Sequence, residues 1–191
     1  MSDLFADDRL QFFLRNREDI RTWAAIESDV TAATRELLAR AQPLIEERIA
    51  AMDSEAVIGR HDGGPWERIF ARREDWPSTV GMALEWHRSV DPVGANRPKI
   101  GVFWWADPPT LEAPRSRLVT LVDRARLQAL GYKIPLSGVW PVGALVTAGA
   151  HWWRDPEGWI NGIVENLAAA WPLLAPRIDD ALRDERGMSG G

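Results

Sequence analysis

Near residue 60 the spacing of apolar side chains changes from the beat of a helix to the two-residue alternation of a strand, and that change limits what the chain can fold into. A helical rod lies before it and a sheet-bearing body after it. In the rod, Trp23, Val30, Leu37 and Leu44 recur every seven positions, with Ile26, Ala33, Ala41 and Ile45 filling the adjoining stripe. An apolar stripe of this length needs cover, which either the body or a second copy of the chain can supply. Asp7 or Asp8 can cap a short first helix carrying Leu10, Phe13 and Leu14, and Asn16, followed by Glu18 and Asp19, can cap the second. Pro43 removes a helical hydrogen bond and interrupts the rod, after which Leu44, Ile45 and Ile49 carry the pattern to about Met52.

Beyond the rod, Gly59–Pro65 (GRHDGGP) reads as a linker, because glycine, aspartate and proline favour turns. Trp66–Arg73, Thr79–Arg88 and Lys99–Ala106 read as strands, antiparallel because their connections are short. In the second of these, Val80, Met82, Leu84 and Trp86 share one face, and Gly81, Ala83, Glu85 and His87 share the other. In the third, Ile100, Val102 and Trp104 oppose Phe103 and Trp105, which fits a strand covered on both sides. A helix is expected from about Pro114, with Leu118, Leu121, Val122 and Ala125 on one face and a stop at Gly131. Gly138–Ala148 reads as a fourth strand, at a sheet edge because of Pro141.

Asp155 as cap, Pro156 and Glu157 then open a last helix that buries Trp159, Ile163, Leu167, Ala170 and Leu174. Pro172 and Pro176 are expected to break that helix into pieces before the GMSGG end. The expected fold is α+β, a mostly antiparallel four-stranded sheet with packed helices and a long N-terminal helical arm. The arm takes residues 1–58, the α+β domain 59–185 and a disordered tail 186–191.

With 191 residues, 46% of them hydrophobic, the chain is long enough for one sizeable core. It has no cysteine, which removes disulfides, thiolate metal sites and cysteine nucleophiles together. Its first residues, MSDLFADDRLQFF, are acidic where a secretory signal is basic, and no apolar run approaches the roughly 20 residues needed to span a bilayer. A cytoplasmic location without a membrane anchor is the expectation. The formal net charge is −5, yet the middle of the chain, with Arg60, Arg68, Arg72, Arg73, Arg88, Arg97 and Lys99, is mildly basic.

Phosphate-loop, dinucleotide and GxSxG signatures are all missing. The most chemical-looking group is Asp75 followed by Glu85 and His87, the last two on one strand face. Nucleases of the PD-(D/E)XK type use two carboxylates to hold a divalent metal and a lysine beside the attacking water, and here His87 stands where that lysine would be. The plain alternative makes Glu85 and His87 partners on a half-exposed polar face. His61 and His151 have no second ligand at helical or hairpin spacing, so no zinc site is expected. Ten of the eleven tryptophans lie from Trp66 onward. Trp86, Trp104, Trp159 and Trp171 fall at core positions, whereas Trp76, Trp140, Trp152 and Trp153 fall near strand ends or turns and could form a surface cluster. With Arg72, Arg73 and Arg88 they make the candidate binding surface.

From Trp66 to about Leu182 the chain resembles a bacterial domain found at the C-terminal end of some DNA-modification or PD-(D/E)XK-like proteins. The likeness rests on the paired Arg72 and Arg73 ending a strand, Leu130–Gly131 after a helix, Trp153 and Asp155 before a helix bearing Trp159, and Ala175 to Ile178 (APRI). It implies a prokaryotic accessory protein linked to DNA modification or phage conflict. Three functional expectations follow. The first is an interaction protein without a cofactor, with a macromolecular partner and a homodimer through the N-terminal helix. The second is a nuclease using a divalent metal, and the third is a nucleic-acid binder that grips phosphates without cutting.

Overall fold

The computed structural model describes residues 8–105, 109–149 and 151–188, with side chains to residue 183. Three helices lead: α1 (Asp8–Arg15), α2 (Arg17–Ala39) and α3 (Ala41–Ala50). The break between α2 and α3 falls at Arg40, which puts Pro43 in the first turn of α3, where its missing N–H has no helical partner to lose.

Five strands follow: β1 (Ala56–His61), β2 (Trp66–Arg73), β3 (Val80–His87), β4 (Lys99–Trp104) and β5 (Val142–Leu145). They form one sheet in the order β1-β2-β3-β4-β5, every neighbour antiparallel. The sheet therefore has five strands where the sequence reading expects four. The extra strand is β1, which includes the first residues of the expected linker, leaving only 62–65 as the hairpin turn. Its three apolar residues, Ala56, Val57 and Ile58, are too few to show alternation before Gly59, Arg60 and His61 mask it. β5 does lie at a sheet edge, next to Pro141.

Between β4 and β5 the expected single helix is two, α4 (Glu112–Leu121) and α5 (Arg124–Ala129). Val122 turns to an extended conformation and Asp123 caps α5 by accepting from the Arg126 N–H at 3.1 Å, so a local side-chain bond cuts the helix that apolar spacing would continue. Gly131, at φ +87°, closes the turn after α5.

The final helix, α6 (Pro156–Met188), is capped by Asp155, whose carboxylate accepts from the Gly158 N–H at 2.9 Å. It continues through Pro172 and Pro176, which corrects the expectation that they would break it. Both prolines lie on the solvent side, while Trp171, Leu174, Ala175 and Ile178 are buried on the other, and that apolar face holds the helix together past two missing N–H groups. The expected tail overlaps the end of this helix, and 189–191 lie outside the described residues, as does Asp7.

One face of the sheet carries Ile69, Ala71, Met82, Leu84, Trp86, Ile100, Val102, Trp104 and Val142, all buried beneath α3 and α6, with α4 packed against α6. Trp104 also donates its indole N–H to the Leu111 carbonyl at 3.1 Å. No helix covers the other face among the described residues, and its small residues are instead covered by rings lying against the backbone. A Cβ at Gly59 would sit 2.4 Å from the Phe70 ring, and one at Gly81 2.9 Å from Phe103. Trp140 and Leu136, from the segment before β5, close over Gly143 in the same way, and with Ala83, Phe70 and Phe103 they form a second, smaller core.

Candidate functional site

Strand register brings Arg68, Glu85 and Lys99 into one row across β2, β3 and β4 on the helix-free face, with His61 of β1 at its end. Trp66 and His87 face each other one step along, with ring centroids 4.8 Å apart and edge to face. Arg68 and Glu85 are both buried and paired, the Arg68 Nε donating to Glu85 Oε2 at 3.0 Å and Nη2 reaching the same oxygen. The guanidinium also lies 4.5 Å from the Phe103 ring and 4.7 Å from the Trp105 ring, so its charge is met by a carboxylate and two π faces. Lys99 Nζ sits 4.4 Å over Trp66. Trp66 and Trp105 remain 37% and 43% exposed, so each presents a ring to solvent beside a cation.

Glu85 and His87 share this face as strand alternation requires, but Asp75 does not join them. It sits in the turn before β3, and from Val80 to Glu85 the strand alone covers roughly 17 Å at about 3.4 Å per residue. Asp75 lines a different pocket, with Arg73, Trp76 and Asp179. Glu85 is held by Arg68, and His87 Nδ1 accepts from the Ser89 N–H at 3.1 Å and lies 2.7 Å from its hydroxyl. Among the described residues no group of three or more His, Asp or Glu side chains is arranged to hold a metal ion.

The surface cluster of four tryptophans does not form. Trp140 is buried over Gly143, and Trp76 is buried against Trp171 with centroids 5.8 Å apart, so the two turn residues serve as lids on different cores, Trp140 over the helix-free face and Trp76 against α6. Trp152 is half-buried against Trp159 at 5.0 Å, and Trp153 is exposed, edge-on to His151 at 5.2 Å. Arg72 donates to the Trp76 carbonyl at 3.1 Å, and Arg88 is exposed at the end of β3.

Arg73, the other expected surface cation, bridges two carboxylates from distant parts of the chain. Its Nε and Nη2 donate to Asp53 at 3.1 and 2.9 Å, and Nη1 pairs with Asp179 of α6. Trp171 donates its indole N–H to Asp53 at 3.2 Å and Trp76 to Asp179 at 2.7 Å. Burial alone would raise the Asp53 carboxyl, but the bonds from Arg73, the Glu55 N–H and Trp171 outweigh it and hold the group below its ordinary value. Arg73 is shifted up: burial opposes its charge, and Asp53 and Asp179 more than restore it.

The helical rod is two things. Its C-terminal part is fixed to the body through buried Thr34, Leu37 and Leu38 and through Arg35, whose Nε donates to buried Glu67 of β2 at 2.8 Å. Residues 21–30 of α2 are exposed on every side. Trp23, Ile26 and Val30, on the same stripe as Leu37, are 68%, 53% and 51% exposed. Phe12, Phe13 and Leu14 of α1 are exposed as well.

No family model matches the chain, and neither a curated protein nor a solved structure matches it. No helix among the described residues is long and apolar enough to cross a membrane.

Sequence pattern alone does not reveal Trp66, Arg68, Lys99 and Trp105 as members of one face. Trp66 and Arg68 do stand at alternate positions of a strand, but their alignment with Glu85 and Lys99 depends on register, which no local pattern carries.

Proposed function

We propose that this chain is a non-enzymatic interaction protein that pairs with a second copy through the free part of α2 and presents the helix-free sheet face to a macromolecular partner. The observation that carries this reading is the exposure of Trp23, Ile26 and Val30 in line with buried Leu37. A helix whose seven-residue stripe is covered at one end by its own body and bare at the other has the pattern of a seam awaiting a matching helix. The second copy carries such a stripe by definition.

Light scattering at micromolar concentration tests this with the full chain and an Ile26→Asp, Val30→Asp variant. Both positions are solvent-exposed, so the variant keeps its helical circular dichroism. Twice the chain mass for the wild type and a single mass for the variant is the expected result. A monomeric wild type removes the pairing and leaves a different protein as the occupant of the stripe.

A second reading is favoured by Trp66 and Trp105, each a partly exposed ring beside a cation. Rings and cations on an open sheet face suit the stacking of single-stranded bases and contact with their phosphates, and the resemblance to DNA-modification proteins points the same way. Quenching of tryptophan fluorescence by a short oligothymidine should weaken steeply between low and physiological salt and should fall in Trp66→Ala. Quenching that ignores salt, or none at all, sinks it.

A further inference from the structure

A cavity of about 410 Å³ opens between β5, the turn at Gly131 and the first turns of α6. It lies apart from the arm and from the aromatic row. Its lining contains no ionisable side chain. Two wall residues each carry a buried polar atom without a hydrogen-bond partner among the described residues: Trp159 Nε1, a donor, and Asn166 Oδ1, an acceptor. Asn166 is oriented by its own amide, which donates to the Leu130 carbonyl at 3.0 Å and turns the oxygen away from that contact.

The backbone of β5 offers a second donor and acceptor. Gly143 exchanges both of its bonds with Lys133 on the outer side of the sheet, at 2.7 and 3.1 Å, so two residues along Leu145 directs its N–H and C=O outward as well. The partner segment does not continue to meet it. Gly131, opposite Leu145, donates instead to Gln128 at 2.9 Å with φ +87°, and the space it leaves belongs to the cavity.

We infer that this cavity is a binding site for a neutral secondary amide with an aliphatic flank, whose N–H and C=O pair with the open edge at Leu145 and whose flank lies along the wall formed by Ile163, Trp159 and Asn166. A charged ligand would meet no counter-charge there, and a hydrocarbon would leave the Leu145 N–H and C=O unmatched. A small molecule and an extended apolar peptide present the same amide chemistry to the site, and the titration separates them.

The test is an NMR titration of the full chain with N-acetyl-leucine methylamide, following the Trp159 indole N–H and the Leu145 amide. Saturable shifts in the millimolar range are expected, with binding at least about tenfold weaker for the carboxylate N-acetyl-leucine. Gly162→Leu should abolish the shifts while keeping the melting temperature. A Cβ at that helical position meets nothing within 4 Å, so the side chain fills the cavity without displacing the fold. A capped tripeptide that binds at least about tenfold more tightly assigns the amide to polypeptide, and equal binding assigns it to a small molecule; either sustains the site. No shift at the two reporters, equal shifts with the carboxylate, or undiminished shifts in Gly162→Leu overturn it.

Discussion

Gly101 occupies the middle of β4 with φ +137°, a conformation closed to residues with a side chain. Space is as restrictive as geometry. A Cβ there would lie 2.3 Å from the Val142 carbonyl oxygen and 2.5 Å from the Gly143 Cα, both backbone atoms that cannot swing aside. Gly101→Ala should therefore cost about 2–3 kcal/mol of stability, read as a lower urea midpoint with an unchanged slope. Gly162→Ala is the matched control: in a helix with open space around it, it should be neutral or stabilise by about 0.5–1 kcal/mol. The two glycines look alike in sequence, and their neighbours alone make one intolerant and the other permissive.

At the scale of elements, α2 is anchored at one end and unsupported at the other. Thr34, Leu37, Leu38 and the Arg35–Glu67 pair fasten its last turns, while residues 21–30 touch too little of the body to stabilise it. A chain lacking residues 1–30 should keep the melting temperature of the full protein to within about 3 °C, by scanning calorimetry under conditions where both are monomeric. A fall much larger than that would mean the arm supports the body. Arg35→Ala, by contrast, should cost about 1–3 kcal/mol, because it leaves the buried Glu67 carboxylate short of its closest donor. The separation of root from tip explains why a stripe with one uniform spacing serves two ends differently.

Across the whole molecule, Arg73 with Asp53 and Asp179 joins three regions far apart in sequence: the end of β2, the turn between α3 and β1, and α6. Asp53 has a folded-state value below its ordinary 3.8, so its bonds contribute stability above about pH 4 that is lost as pH falls through the lower folded value. Thermal unfolding followed from pH 6 down to pH 3 should show a steeper loss in the wild type than in Asp53→Asn, which is less stable at pH 6 but has no such carboxylate to protonate. Parallel curves would remove Asp53 from the acid response.

The amino-acid order by itself determined the elements whose signals are local: the helical rod, β2 to β4, the Asp155 cap of α6 and the Gly131 stop, because periodicity and capping involve residues a few positions apart. It also put Glu85 and His87 on one face. Only the tertiary structure decided that β1 is a strand, that α6 survives two prolines, that Trp76 and Trp140 are lids, and that Arg68 and Lys99 share a row with Glu85. Each of these depends on what lies opposite in space, and burial against a partner can outweigh a local preference worth about 1 kcal/mol, or about 3 kcal/mol at a helix proline, without leaving any mark in the neighbouring sequence.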